Sequence, residues 1–261
     1  MDIFRRNKSI TALILSCTLC LIAGGLFYGI FLHDKEPGPK EPTASTGETK
    51  ASSRSNASDE TKAADTGLTV YIETGHGRED SGRWDTGCSW SDGEKDYEEA
   101  ELMIPIAKSM AAYLRSSGVK VVTDADEDNN RNLEYTLDYL EDHPEINAFI
   151  NIHCDWENAE SGTMPLYRTE EQLELGKALN KGVHSLIDMP DRGETHREDL
   201  DTLNSEKVHC PAVLFETGSI KEDNHILTEK YDAYGKGLAI GMCDYLGVEF
   251  KDSSDPSKSD L

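Results

Sequence analysis

The chain has 261 residues, 50 of them acidic and 26 basic, for a net charge of −24. With 37% hydrophobic and 29% charged residues it is not a polytopic membrane protein. The acidic excess excludes a nucleic-acid binder, which needs clustered Lys and Arg, and six cysteines are too few for a disulfide-built scaffold.

The first feature in chain order is an uncharged apolar run, Ile10 to Leu32. At ~1.5 Å per residue it reaches roughly 35 Å, enough to cross a bilayer core. Arg5, Arg6 and Lys8 precede it, so the positive-inside rule leaves residues 1–9 in the cytoplasm and everything after the span outside. A cleaved signal peptide would have a shorter apolar region followed by small residues, whereas this run ends in Phe31 and Leu32. Lipoprotein cleavage before Cys17 fits poorly with Leu15 and with the apolar run continuing beyond it. The expectation is an uncleaved transmembrane signal-anchor at 10–32, with secretion after cleavage as the alternative.

Residues 33–66 are rich in Thr, Ser, Glu, Lys, Ala and Pro without apolar periodicity, which predicts a disordered linker. Residues 249–261 read as a flexible tail. A single domain remains at 67–248, and its acidic surface is explained most simply as an aid to solubility.

That domain alternates strand and helix patterns. Leu68–Glu73 is a β-branched and aromatic run stopping at Thr74-Gly75. A helix follows from Glu98 to Ser117, with Leu102, Ile106, Met110, Tyr113 and Leu114 on one face and Gly118 ending it. Val119–Thr123 reads as a strand, and Leu133, Leu137 and Leu140 mark a helix closing before Pro144. Ala148–Ile152 and Thr163–Tyr167 read as strands. Thr169 and Gln172 make a capping box that opens a helix to about Ile187. Pro211–Phe215 is an apolar strand, and His225 to Leu246 a final helix. This alternation predicts an α/β fold, a mostly parallel twisted sheet with helices on both faces.

Three of these strands run into a residue able to bind metal or move a proton: His76, His153 and Glu216. Open α/β sheets place ligands beyond the C-terminal edge of their strands, so groups far apart in sequence can converge there. Glu98 or Glu99, at the start of the first long helix, could join them. Two His and one carboxylate with an open position make a catalytic zinc site, leaving a second carboxylate as general base. A lone His at a strand end is more often an ordinary hydrogen-bonded residue than a metal ligand. Glu216, finishing a buried apolar strand, is harder to place without a partner, because an unpaired buried carboxylate costs several kcal/mol.

At these residues the chain resembles the zinc-dependent N-acetylmuramoyl-L-alanine amidases, the amidase type 3 family. That family shows D-P-G-H-G, here Glu73-Thr74-Gly75-His76-Gly77, and then a Glu opening a long helix. S-I-H-x-N follows, here Asn151-Ile152-His153-Cys154-Asp155, then D-R-G, here Asp191-Arg192-Gly193. The last motif, P-A-x-L-x-E-T-G, is Pro211 to Gly218. The resemblance implies that His76, Glu99 and His153 bind Zn2+ and that Glu216 is the catalytic acid/base. Glu99 is preferred to Glu98 from its spacing to Ile106-Ala107, and Glu98 stays open.

The sequence departs from the family at Glu73 and Thr74, which replace Asp-Pro, and at Asp155, which replaces Asn. Asp124 lies near the place of an Arg often found after the second strand. The implied activity is hydrolysis of the amide between the lactyl group of N-acetylmuramic acid and L-alanine, with peptidoglycan as partner and any protein activator undefined. The alternatives are another zinc peptidase or amidohydrolase, or a catalytically silent wall-binding regulator. Cys17 and Cys20 fall in the predicted span. Cys88, Cys154, Cys210 and Cys243 are expected to be free buried thiols, with Cys154 pointing away from the His153 face.

Overall fold

The computed structural model describes residues 64–79, 81–127 and 131–252, so the predicted anchor and most of the predicted linker lie outside the described residues. No described helix is long and apolar enough to cross a membrane. The elements run β1 (Thr69–Thr74), β2 (Gly77–Arg78), β3 (Trp84–Asp85), β4 (Ser89–Ser91), β5 (Asp96–Glu98), α1 (Glu99–Ser116) and β6 (Lys120–Thr123). A 3-10 turn (Asp124–Glu127) leads to α2 (Leu133–Asp142), β7 (Ala148–Asp155), β8 (Met164–Tyr167) and α3 (Glu170–His184). Then come β9 (Thr195–His196), α4 (Asp201–Asn204), β10 (Ala212–Ser219), α5 (Asn224–Glu229) and α6 (Tyr231–Leu246).

The central sheet has the order β6-β1-β7-β10-β8-β9. Its first four strands are mutually parallel, and β8 joins β10 antiparallel with β9 beside it. The fold is therefore α/β with a mostly parallel sheet, as the alternation predicts. Register places Glu73 opposite Asn151 and Glu216 opposite His153, so the ends of β1, β7 and β10 lie side by side.

Period-two alternation divides the sheet residues between two faces. Val70, Ile72, Ile150, Ile152, Val213 and Phe215 belong to the main core cluster, together with apolar residues of α1, α3, α5 and α6. Tyr71, Phe149 and Ala212 point the other way, to a smaller cluster closed by Leu140 of α2. Leu166 and Leu214 meet Leu203 of α4 in a third. On the main face the helices pack at backbone contact. A Cβ on Gly182 of α3 would strike the backbone of Gly237 and Gly241 in α6.

Local signals account for the helix starts. Asn132 caps α2 by accepting from the Tyr135 N–H, and Thr169 and Gln172 form the expected capping box on α3. No side chain caps α1. Its Glu99 and Ala100 N–H groups donate instead to the carbonyls of Cys88 and Thr86, which ties the loop before β4 to the helix N-terminus.

Three features depart from the sequence reading. The predicted helix from His225 to Leu246 divides at Lys230, whose backbone (φ −116, ψ 19) leaves the helical region although the apolar pattern runs through it. The segment between β1 and α1, to which the sequence reading assigned no element, forms two small hairpins, β2-β3 and β4-β5. Packing also continues past Val248: the Phe250 ring lies tilted against Tyr113, 5.9 Å between centroids, and the Lys251 N–H donates to Ser117 Oγ at 2.9 Å.

Candidate metal centre

The turn leaving β1 places His76 with φ 65, the only described non-glycine residue with positive φ. Such a backbone is costly for a residue bearing a Cβ. Two nearby glycines are explained by space as well as by turn chemistry. A Cβ on Gly75 would overlap the His153 ring, and one on Gly87, itself at φ 66, would overlap Glu99 and His76. Two glycines far apart in sequence thus clear room for the same three side chains.

Those side chains converge. His153 Nδ1 lies 2.8 Å from Glu99 Oε1, and His76 Nε2 lies 3.3 Å from Glu99 Oε2. The ligand atoms of His76, Glu99 and His153 all fall within 4.8 Å of one another, an arrangement that could hold a metal ion. Glu99 is 3% exposed and also accepts the N–H groups of Cys88 and Cys154, at 2.9 and 3.1 Å. Glu98, the open alternative, faces elsewhere and accepts from Trp84 Nε1 at 3.1 Å.

His76 Nδ1 stands 3.1 Å from Asp85 Oδ2, which leaves Nε2 toward the centre. A carboxylate on the far nitrogen of a metal-binding His fixes its tautomer and orientation. Asp85 was missed by sequence reasoning, since it comes from the hairpin segment to which no element was assigned. Its only sequence signal was its place in Asp85-Thr86-Gly87, a turn-like run.

Glu216 sits on β10 beside His153 in register, half-buried, with a buried Oε2 that has no hydrogen-bond partner. Burial pushes its carboxyl up to about 7, against the opposing pull of His153. Burial opposes a charged His153 ring, yet the hydrogen bond and charge of Glu99 prevail and raise it to about 9 in the metal-free protein. Glu99 shows the mirror effect: burial raises it, while His153 and His76 more than compensate and leave it below the usual carboxylate range. The hydrogen bond with His76 lowers Asp85. Two imidazoles and a carboxylate at one point, with an orphaned carboxylate alongside, form a donor set that fits a zinc ion with an acid/base neighbour.

Of the departures from the family pattern, Thr74, Asp124 and Asp155 pair with other groups. Thr74 Oγ1 donates to Asp124 Oδ1 at 3.3 Å, so two of the departures meet each other. Asp155 accepts both guanidinium nitrogens of Arg192 at 3.0 Å, tying the Asp191-Arg192-Gly193 segment to the end of β7. Glu73 is 1% exposed, with Oε2 unpartnered, and burial pushes its carboxyl up to about 8. In the last motif, Thr217 Oγ1 donates to the His153 carbonyl at 2.8 Å, and Tyr234 in α6 donates to the Thr217 carbonyl at 2.7 Å.

A groove of ≈ 660 Å³ opens beside this centre. His76 and His153 lie on its wall with Glu73, Asp85, Asn151 and Leu214, and α2 and α4 bound its other side.

The family model described as N-acetylmuramoyl-L-alanine amidase matches residues 70–244. The chain is similar to the solved structure of N-acetylmuramoyl-L-alanine amidase AmiC2 of Nostoc punctiforme, with 26% identity and a TM-score of 0.61 over 70% of this chain and 99% of that one. An N-acetylmuramoyl-L-alanine amidase from Clostridium difficile 630 is 25% identical, with a TM-score of 0.59 over 72% and 98%. The CwlD amidase from Clostridioides difficile, solved in complex with the GerS lipoprotein, shares the fold at 21% identity and a TM-score of 0.55 over 69% and 99%. No protein of curated function matches the chain.

Proposed function

The chain belongs to the N-acetylmuramoyl-L-alanine amidase family, the peptidoglycan hydrolases that cut between the lactyl group of N-acetylmuramic acid and L-alanine, and we propose that it does so with zinc held by His76, Glu99 and His153 and with Glu216 as acid/base. The observation that carries this reading is the placement of an unpartnered Glu216 carboxylate next to His153, at the edge where the three donors meet.

Zinc bound there would supply Lewis acidity, polarising the lactyl carbonyl and lowering the pKa of a water at the site to about 7. The protein's own groups do the rest. Asp85 orients His76, and Thr217 braces the strand carrying His153. Glu216, whose carboxyl burial pushes up in the metal-free protein, stands beside His153 to take a proton from water and pass it to the departing amine of L-alanine. The groove beside the centre gives the glycan and stem peptide a place to lie.

Localisation rests on sequence alone. The run from Ile10 to Leu32 would anchor the chain in the cytoplasmic membrane, and residues 33–66 would let the domain reach the wall from its outer face. Removal of residues 1–32 is expected to move the protein from the membrane to the soluble fraction, and unchanged membrane association would refute the anchor.

The activity is tested by incubating the zinc-loaded protein with peptidoglycan and identifying the released fragments by mass. Stem peptides beginning at L-alanine, lost on chelation, are expected. Fragments cut within the stem peptide would overturn the assigned bond.

A further inference from the structure

We propose that Cys88 and Cys154 form a disulfide that fastens the loop before β4 to the end of β7 and so holds Glu99 in place. Their Sγ atoms are already in contact at 3.9 Å, although the residues stand far apart in sequence. Cys88 is half-buried and open to attack, whereas Cys154 is 3% exposed within the main core cluster, on the opposite face of β7 from His153. The other two described thiols are placed differently. Cys243 is buried in α6, and Cys210 packs beside the small cluster under α2.

What makes the pair more than a chance contact is what its backbone does. The Cys88 N–H donates to one oxygen of Glu99 and the Cys154 N–H to the other. The two residues therefore grip a single buried carboxylate from both sides, and a bond between their side chains would make that grip covalent. The two thiols and a Glu99 oxygen also lie within 4.8 Å of one another, a second donor set sharing Glu99 with the His pair. Oxidation removes that competing set, because a disulfide sulfur is no thiolate ligand.

The oxidant is a second disulfide, such as oxidised glutathione or the active-site disulfide of an oxidoreductase. Cys88 thiolate attacks it, forming a mixed disulfide and releasing one thiol. Cys154 thiolate then attacks the Cys88 sulfur and releases the second. Two electrons pass from the cysteine pair to the oxidant, and the two cysteine protons leave with the released thiols. Oxidising compartments outside the cytoplasm sustain this exchange.

The test uses the full chain, first reduced and then equilibrated in glutathione buffers of increasing oxidation, with free thiols alkylated and peptides mapped by mass. A single linkage between the Cys88 and Cys154 peptides is expected, with Cys210 and Cys243 alkylated. It should be absent in Cys88→Ser and in Cys88→Ala, and the oxidised form should melt about 5–10 °C above the reduced one. Alkylation of both residues in the fully oxidised buffer, or linkage through Cys210 or Cys243, would overturn the proposal. The consequence for zinc rests on the metal reading above. Titration against a chelator should show the oxidised form holding zinc about tenfold more tightly, and equal affinity in both redox states would overturn the clamp. The mapping needs neither zinc nor substrate, so it stands or falls apart from the amidase assignment.

Discussion

The two faces of the central sheet are built to different ends. One is covered by α1, α3 and α6, packed so closely that glycines in α3 and α6 meet at backbone contact. The other carries only the short α2 and α4 over two small clusters, and the groove with its His residues opens there. Stability is concentrated on the first face, because burial of apolar area is the main driving term. The second face can then leave polar groups such as Glu73, Asn151 and Glu216 partly unsatisfied. Glu99 joins the two: it starts a helix of the packed face, yet its carboxylate reaches around the strand ends to the His pair.

Substitutions on each side should separate these roles. The largest effect is expected for Glu216→Gln, which should lower turnover by ~10²–10⁴-fold while zinc content by elemental analysis stays stoichiometric. Near-normal turnover would remove Glu216 from the acid/base role. Gly182→Ala, on the packed face, forces backbone apart and should cost ~1–3 kcal/mol, visible in thermal unfolding as roughly 2–4 °C per kcal/mol. Its zinc stoichiometry should be unchanged, and loss of metal in this variant would show that the faces are not independent.

Asp85→Asn is the converse, expected to weaken zinc ~10–100-fold in a chelator competition with little change in melting temperature. A large drop in melting temperature with normal zinc affinity would make Asp85 a structural residue instead.

The smallest effect is on pH. His153 is raised to about 9 without metal, so its ion pair with Glu99 stabilises the metal-free protein fully below pH 6.5 and loses that contribution as pH rises through about 9. Zinc needs the neutral ring and must displace that proton. Its apparent affinity should therefore climb ~tenfold per unit toward pH 9, a slope measurable by competition titration and flattened in Glu99→Gln. A flat profile in the parent protein would show that the His153 ring carries no proton to displace.

Much of the fold was legible because its signals are local. The capping box at Thr169, the apolar face of α1 and the β-branched run of β1 each report on a few neighbouring residues, and the structure forms each one. What escaped depended on distant partners. Asp85 mattered only once the β2-β3 hairpin brought it to His76. Thr74 and Asp124 read as separate departures until their hydrogen bond showed them to be a pair. Cys88 and Cys154 are free thiols in the structure, as expected, but Cys88 is only half-buried and the two are in contact, which strand alternation alone could not show.

The sequence by itself supplied the candidate groups, because His76, His153 and Glu216 lie near the C-terminal ends of strands that open α/β sheets align at one edge, and because the family motifs stand in order. Only the tertiary structure decided between Glu98 and Glu99 in reach of that edge. Adjacent residues at a helix start point in different directions, and the loop from Thr86 to Cys88 sets which one turns inward. The order β1-β7-β10 was likewise settled by packing, since the alternation of strand and helix is compatible with more than one arrangement of neighbours.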